Sequence, residues 1–472
     1  MCINMKKTKY MIAVAVLSIS SAATAQNLNS GYFTKGYLYR HDMNPAFASD
    51  QGYVAMPALG NLGVGMNSNL RSDKIFYNID GRTALFIHPK VDAGNFLSKV
   101  KDKNKITEDF RLQLLGFGFK GFGGYNTIEI NARQSLGVNI PGSLFRLAKE
   151  GVRNTTYDIK DFAAHAEAYG EIALGHSHQI DEHLRIGAKM KFLLGVANID
   201  AEFNRAQLVL GTDEWVAMTD AKIQTSLNNL TYKTETTTRG PGEDEHGNPS
   251  DEAEHTYVSG VDKSKWGVSG FGMAFDLGAE YKLDENWTFS AALLDLGYIG
   301  WKNNYVASTD GLQEVHTGTH LFSLDDKADN SFERQGDRLG ADLARLYELQ
   351  DRGNTGSRSR ALAPTMNLGV EYTPDFYDKM SFGLMNNTRF GKYGWTDFRL
   401  STNVAPTNIF SASATVSLGT FGTSFGWLLN FHPCGFNIYL GMDHTLSKLA
   451  KQGLPLSGRG DVHLGINVPF GH

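Results

Sequence analysis

Segment after segment of this chain places apolar residues at every second position. Near the C-terminus Val462, Leu464, Ile466, Val468 and Phe470 share one parity, with His463, Gly465 and Asn467 on the other. Phe436, Ile438, Leu440 and Met442 alternate with Asn437, Tyr439 and Gly441. Phe425, Trp427, Leu429 and Phe431 alternate with Ser424, Gly426 and Asn430. The same pattern recurs upstream in 362–372, 266–281, 184–196 and 128–140. A period of two means strands with two unlike faces. Such strands build either a soluble sandwich, apolar side inward, or a membrane barrel. In a barrel the apolar side meets lipid, and small or charged residues line the lumen.

Connection length separates the two. Short turns fall at 432–434, 405–407, 373–378, 283–285 and 181–183, alternating with longer polar connections at 445–458, 303–361, 198–265 and 141–164. Short turns on one rim and long loops on the other are the asymmetry of an outer-membrane barrel, whereas a sandwich has no reason to sort loops by parity. With 53–68 as the first strand, the count is about fourteen, an even number that puts both termini on the periplasmic rim. The expected fold is an all-β transmembrane antiparallel barrel. Composition agrees: Gly 51 and Phe 28 in 472 residues, with Pro only 12, suit closely packed extended backbone.

Lys6, Lys7 and Lys9, then an apolar run from Met11 to Ile19, then Ala23-Thr24-Ala25, read as a secretory signal cleaved after Ala25. The expected organisation is a signal peptide at 1–25, a non-alternating segment at 26–52 and a barrel over 53–472. Cys2 leaves with the signal and Cys434 remains alone, so neither a disulfide nor a zinc site is expected. A net charge of -5 argues against a nucleic-acid partner.

The segment before the first strand carries Tyr32, Phe33, Tyr37, Tyr39 and Phe47 around Asn44-Pro45-Ala46. An aromatic lead followed by Asn-Pro-Ala resembles FadL-type hydrophobic-compound transporters. The chain as a whole resembles a group of uncharacterised bacterial outer-membrane β-barrels distantly related to them. In FadL-type proteins this segment folds into the lumen as a hatch containing the Asn-Pro-Ala. The resemblance therefore implies a lumenal plug here, with Asn44, Pro45 and Ala46 as its structural motif. On the residues alone, Pro45 fixes φ and Asn44 caps a turn.

Patterns that suggest enzymes are set aside. Gly116 to Gly121 fits G-x-G-x-x-G, but a second strand follows it and no helix N-terminus is available for phosphate. Gly175-His176-Ser177-His178 lacks the closing glycine of a nucleophile elbow. His176 and His178 share a strand face near His183 and have the spacing to chelate a metal, yet rim histidines are more often interfacial polar groups. No catalytic residue, cofactor or metal site is expected. The acidic stretch 238–254 lacks calcium-loop spacing and reads as a solvated external loop. Two helices are expected in the long loops, at 337–350 and 95–103.

Glu129, Arg133, Glu167, Glu171, Lys189, Lys191, Asp276, Glu280, Glu371, Asp397 and Arg399 fall on the lumen parity. Both signs together pair internally, which disfavours a wide ion-selective pore. The expected function is passive uptake of small hydrophobic or amphipathic molecules across the outer membrane. The alternative is a non-transporting accessory barrel of a surface secretion or attachment complex, as some FadL relatives are in type IX secretion. Expected partners are membrane lipid, with a small hydrophobic solute or envelope and secretion proteins.

Overall fold

The structure, a computed structural model, describes residues 27–471 except 71, 152, 212–213, 240–241, 244–248, 251–252, 266, 317–341 and 446–457. The signal segment and Ala25 lie outside the described residues.

The dominant element is a closed antiparallel barrel of 14 strands. Strand β1 runs over Gly52–Ala55 and resumes at Leu62–Ser68; β2 is Lys103–Gly121, β3 Gly124–Pro141, β4 Ala163–Gln179 and β5 Leu184–Leu210. Then come β6 Gly270–Lys282, β7 Trp287–Trp301, β8 Thr365–Tyr372, β9 Met380–Arg389 and β10 Trp395–Thr407. The last are β11 Phe410–Gly419, β12 Gly422–Phe431, β13 Asn437–Met442 and β14 Arg459–Phe470. Each strand pairs with its sequence neighbours, and β1 pairs with both β2 and β14, which closes the sheet. Closure removes the edges that an open sheet leaves unpaired.

Alternation sorts the two faces. Leu400, Leu418, Leu384, Phe398, Phe425 and Leu440 are exposed on the outside, while Ser417, Asn430, Arg399 and Tyr439 are buried inside. A contiguous apolar belt of this size is unfavourable in water and matches the hydrocarbon layer of a bilayer. Trp287 and Tyr372 lie ring to ring, 4.8 Å apart, at the short-turn rim, where aromatic rings of a barrel sit at the lipid interface.

Five expectations are corrected. The first strand is not continuous: Pro57 has no N–H to donate to a ladder, Ala58 takes φ 60, and the chain re-enters the sheet at Leu62. The connection at 198–265 is not an irregular loop. β5 continues to Leu210 and pairs with Trp215–Ser226, and Asn228–Arg239 pairs with Ala253–Lys265 as a hairpin. The expected helix at 95–103 is Ala93–Leu97, started by the Asp92 side chain accepting from the Asn95 N–H at 2.6 Å, and Lys103 already belongs to β2.

Of the expected helix at 337–350, the described part is helical only at 342–345, and Gln350 begins the strand Gln350–Asn354. The polar connection at 141–164 holds a helix at Gly142–Glu150, ended by Gly151 at φ 71. Its Phe145 packs with Phe96 and Val91 in a small apolar cluster above the long-loop rim.

Candidate functional site: the barrel lumen

Residues 27–51 bond to strands on opposite sides of the closed wall, which places them inside it. Asn29 and Ser30 donate their N–H groups to the Asp443 carboxylate at 2.8 and 2.7 Å. Tyr32 Oη meets Ser290 Oγ on β7 at 3.0 Å. Tyr39 Oη lies within hydrogen-bond distance of Gln113 Oε1 on β2 and Asn467 Oδ1 on β14, at 2.8 and 2.6 Å. Ser177 on β4 donates to the Ala46 carbonyl at 2.7 Å, and Asn367 on β8 donates to the Met43 carbonyl at 2.7 Å.

The apolar side of the segment forms the largest apolar cluster among the described residues. Leu28, Tyr32, Phe33, Tyr37, Tyr39, Met43 and Phe47 pack with wall residues Tyr53, Met385, Leu428 and Tyr439. Leu428 breaks the face rule of its strand: it is apolar yet points inward, because the segment supplies it an apolar neighbour. Each buried ring is favoured over a solvated tail by roughly 25 cal/mol per Å² of apolar area.

The Asn44-Pro45-Ala46 motif sits against β6 and β5. Asn44 Nδ2 donates to the carbonyls of Ala279 and Ala291 at 3.1 and 3.4 Å, and Asn44 Oδ1 accepts from the Ala46 N–H at 3.0 Å. A Cβ built on Gly278 would overlap Asn44 Oδ1, and one on Gly187 would overlap the Pro45 carbonyl. At these two close approaches the wall is glycine.

Charged groups form a layer beside this motif. Asp42 and Glu129 take Lys189 Nζ at 2.9 and 3.1 Å and Arg111 at 2.9 and 3.5 Å. Burial opposes ionisation of Asp42. Arg111, Lys189 and His41 outweigh it and hold the carboxyl well below the usual carboxylate range. Next to this group, Arg133 bridges Glu171 and Asp295, both at 3.0 Å, and Lys191 bridges Asp276 and Asp295, both at 2.7 Å. His41, Asp42 and Glu129 also have metal-ligand spacing. Lys189 and Arg111 already supply a cation to each carboxylate there, so the chemistry is an ion-pair cluster rather than a cation cage.

Of the expected lumen charges, Glu129, Arg133, Glu171, Lys189, Lys191 and Asp276 meet in this layer. Glu167 joins a separate group with Asp200 and Arg360. Asp397 and Arg399 join Arg459 and Asp443 near β14. Glu280 lines a cavity at the short-turn rim, and Glu371 has no ion pair among the described residues. Asp42, Arg111 and Asp295 escaped sequence reasoning. Asp295 sits at φ 58 beside a register shift in the β6–β7 pair, so parity cannot assign its face. His176 and His178 stack 5.8 Å apart on the outer face, with His176 Nδ1 on Asn126, and His183 is bound to the Lys282 carbonyl instead.

The layer lies between two cavities. One, of about 310 Å³, opens toward the long-loop rim between Asn29, Thr107, Arg133, Tyr169, Arg389 and Trp395. The other, of about 720 Å³, lies at the short-turn rim between Lys35, Arg40, Phe47, Lys120, Arg185 and Lys282. A third, small cavity of about 20 Å³ lies within the layer, walled by Asp42, Arg111, Glu171, Lys189 and Asp295.

A family model described as "Family of unknown function (DUF5723)" matches residues 45–443, most of the barrel with the Pro45 end of the motif. The chain belongs to that family. No curated protein matches the sequence. Among solved structures this DUF5723 barrel is similar to the CymD monoaromatic hydrocarbon channel, with TM-score 0.37, 9% identity and coverage of 93% of this chain and 94% of that one. It is also similar to the P. putida toluene transporter TodX, with TM-score 0.35, 11% identity and coverage of 91% and 93%. A Pseudomonas aeruginosa FadL homologue gives 0.36, 11%, 95% and 97%. These include the FadL type that the Asn-Pro-Ala lead resembles. At such scores the likeness carries no weight for function.

Proposed function

We propose that this barrel is an outer-membrane uptake channel for small amphipathic molecules, held shut at rest by residues 27–51 acting as a plug. The observation that carries it is the pair of cavities, one toward each rim, with the buried Asp42–Lys189 ion-pair layer and residues 27–51 between them. A solute entering from the long-loop side meets a chamber, then a barrier made of a displaceable segment and its ion pairs. The short-turn rim, with Gly52 and Phe470, faces the periplasm, and the hairpin 228–265 faces outward. A lumen lined by amides, hydroxyls and ion pairs suits a solute with a polar end better than a bare hydrocarbon.

The direct test is planar-bilayer conductance of the purified protein with and without residues 27–48. The channel reading expects low conductance for the full chain and a large rise on deletion. Unchanged conductance of a folded deletion variant removes it.

One observation favours the second reading, an accessory barrel at the cell surface. β5 runs well past the ~9–11 residues a strand needs to cross a bilayer. With 215–226 and the hairpin it forms a β platform outside the wall, on which Trp215 and Val261 are exposed. Crosslinking from position 261 in intact cells, with no solute flux through the deletion variant, is the result that selects it.

A further inference from the structure

We propose that the cavity at the short-turn rim binds a small soluble anion carrying two or more charges, held jointly by the lumenal segment and the wall. The site goes beyond the channel reading, since it needs no solute to pass through the barrel. Its volume of about 720 Å³ lies within the ~300–1,000 Å³ usual for ligand pockets.

Five cations line this cavity: Lys35 and Arg40 on the segment, Lys120 on β2, Arg185 on β5 and Lys282 on β6. Parity aims the three wall side chains into the lumen. Arg185 is two positions from Gly187, where a Cβ would meet the Pro45 carbonyl, and Lys282 is four from Gly278, where one would meet Asn44. Lys120 is two from Gly118, where one would meet Tyr53. Lys35, Lys120 and Lys282 are exposed and Arg40 and Arg185 half-buried, so solvent reaches all five.

None of the five is in an ion pair among the described residues, unlike Lys189 and Arg111 in the neighbouring layer. Lys35 Nζ donates only to the Asp378 carbonyl, at 3.3 Å. Arg40 is held in place: its Nε donates to the Tyr32 carbonyl at 2.8 Å, and its guanidinium lies 4.3 Å over the Phe47 ring. Its two terminal nitrogens are left as a preset fork for an oxyanion. Acids do not cancel this charge. Asp50 and Glu280 line the same cavity, and pairing both would still leave three cations. Asp181 and Asp284 on the adjacent turns face their own loops, accepting from the N–H groups of His183 and Leu184 and of Asn286 and Trp287. Cations gathered in a cleft with low-dielectric walls concentrate anions. A multivalent anion answers several of them at once, across segment and wall, whereas a neutral occupant answers none.

The test is calorimetric titration of the full-length protein with sodium pyrophosphate, in a neutral detergent free of phospholipid. Sodium acetate, spermidine and dihexanoyl phosphatidic acid serve as the monovalent, cationic and lipid-headgroup probes. Pyrophosphate is expected to bind most tightly of the four. Arg40→Gln on the segment and Lys120→Gln on the wall are each expected to weaken it about tenfold, near the lower end of what a hydrogen bond to a charged group contributes. Glu280→Gln removes a repelling acid and is expected to tighten it. Heat-modifiable migration on gels verifies that each variant is a folded barrel; if Arg40→Gln does not fold, Lys35→Gln takes its place. No pyrophosphate binding, or tighter binding of acetate, spermidine or the lipid, overturns the proposal. So does binding that a folded segment variant or Lys120→Gln leaves unchanged, or a loss on Glu280→Gln as large as that on Lys120→Gln. Binding is measured without permeation. Pyrophosphate binding with no conductance in the deletion variant therefore sinks the channel reading alone, and conductance without pyrophosphate binding sinks this one alone.

Discussion

The Asn44 carboxamide occupies the space that a side chain on Gly278 would need, with Asn44 Oδ1 where the Cβ would stand and Pro45 Cδ beside it. The same carboxamide is tied to β6 and β7 through the Ala279 and Ala291 carbonyls. A methyl group at Gly278 therefore drives the motif off the wall without touching the barrel's own ladder. Gly278→Ala is expected to fold normally and to raise conductance and protease cleavage within 27–51. Gly170→Ala is the control, since a Cβ there meets only the Leu194 side chain at 3.8 Å. Equal behaviour of the two variants means the Asn44–Gly278 contact does not hold the segment.

The Asp42 layer makes a second expectation. Removing one partner of a buried ion pair leaves the other uncompensated, which costs about 3–5 kcal/mol. Asp42→Ala leaves Lys189 and Arg111 sharing Glu129 alone, so the unfolding midpoint should fall and conductance should rise. Lys189→Met in the Asp42→Ala background removes the stranded cation and should recover part of the stability. A double-mutant cycle in urea checks this; strict additivity of the two changes means the pair is not coupled.

The wall was legible in the sequence because lipid and lumen demand opposite residues at successive positions. Leu440 and Tyr439, or Ile466 and Gly465, declare their faces with no help from neighbours. Leu428 did not, since its environment is set by Tyr37 and Leu28, about four hundred residues earlier in the chain. Lys189 and Glu129 were legible as lumen charges, whereas their partners Asp42 and Arg111 were not. Asp42 belongs to a segment with no period, and its face exists only once the barrel closes around it. The external strands at 215–226 and 228–239 were missed for another reason: Trp215 to Met218 are apolar on both faces and 228–239 is mostly polar on both, so neither carries an alternation.

The lipid face is tested at Leu400, which is 62% exposed near the middle of β10. Arginine at a lipid-facing midplane position costs roughly 2–4 kcal/mol in such barrels. Leu400→Arg should lower the folded fraction in vesicles sharply, while Leu400→Phe should not. Equal folding of both would mean that this face does not meet hydrocarbon.

The last expectation concerns acid. His444 lies just beyond β13, with Nδ1 at 2.7 Å from Ser424 Oγ and Nε2 at 3.0 Å from Arg459. A guanidinium only donates, so Nε2 accepts and the neutral ring carries its proton on Nδ1. Burial, helped by Arg459 and Arg399 against the pull of Asp461 and Asp443, pushes the His444 pKa down to about 4. An unfolded histidine titrates near 6.5. Between those values the unfolded chain binds more protons, so stability falls as pH drops from about 6.5 to about 4 and levels off below. The neighbouring Asp443 is the anchor of Asn29 and Ser30, so strain at His444 reaches the start of the lumenal segment. Conductance and cleavage within 27–51 should therefore rise as the pH is lowered through this window. His444→Gln keeps an acceptor for Arg459 but cannot ionise, and it should flatten the profile. A His444→Gln protein with the wild-type pH dependence would place the acid response elsewhere in the lumen.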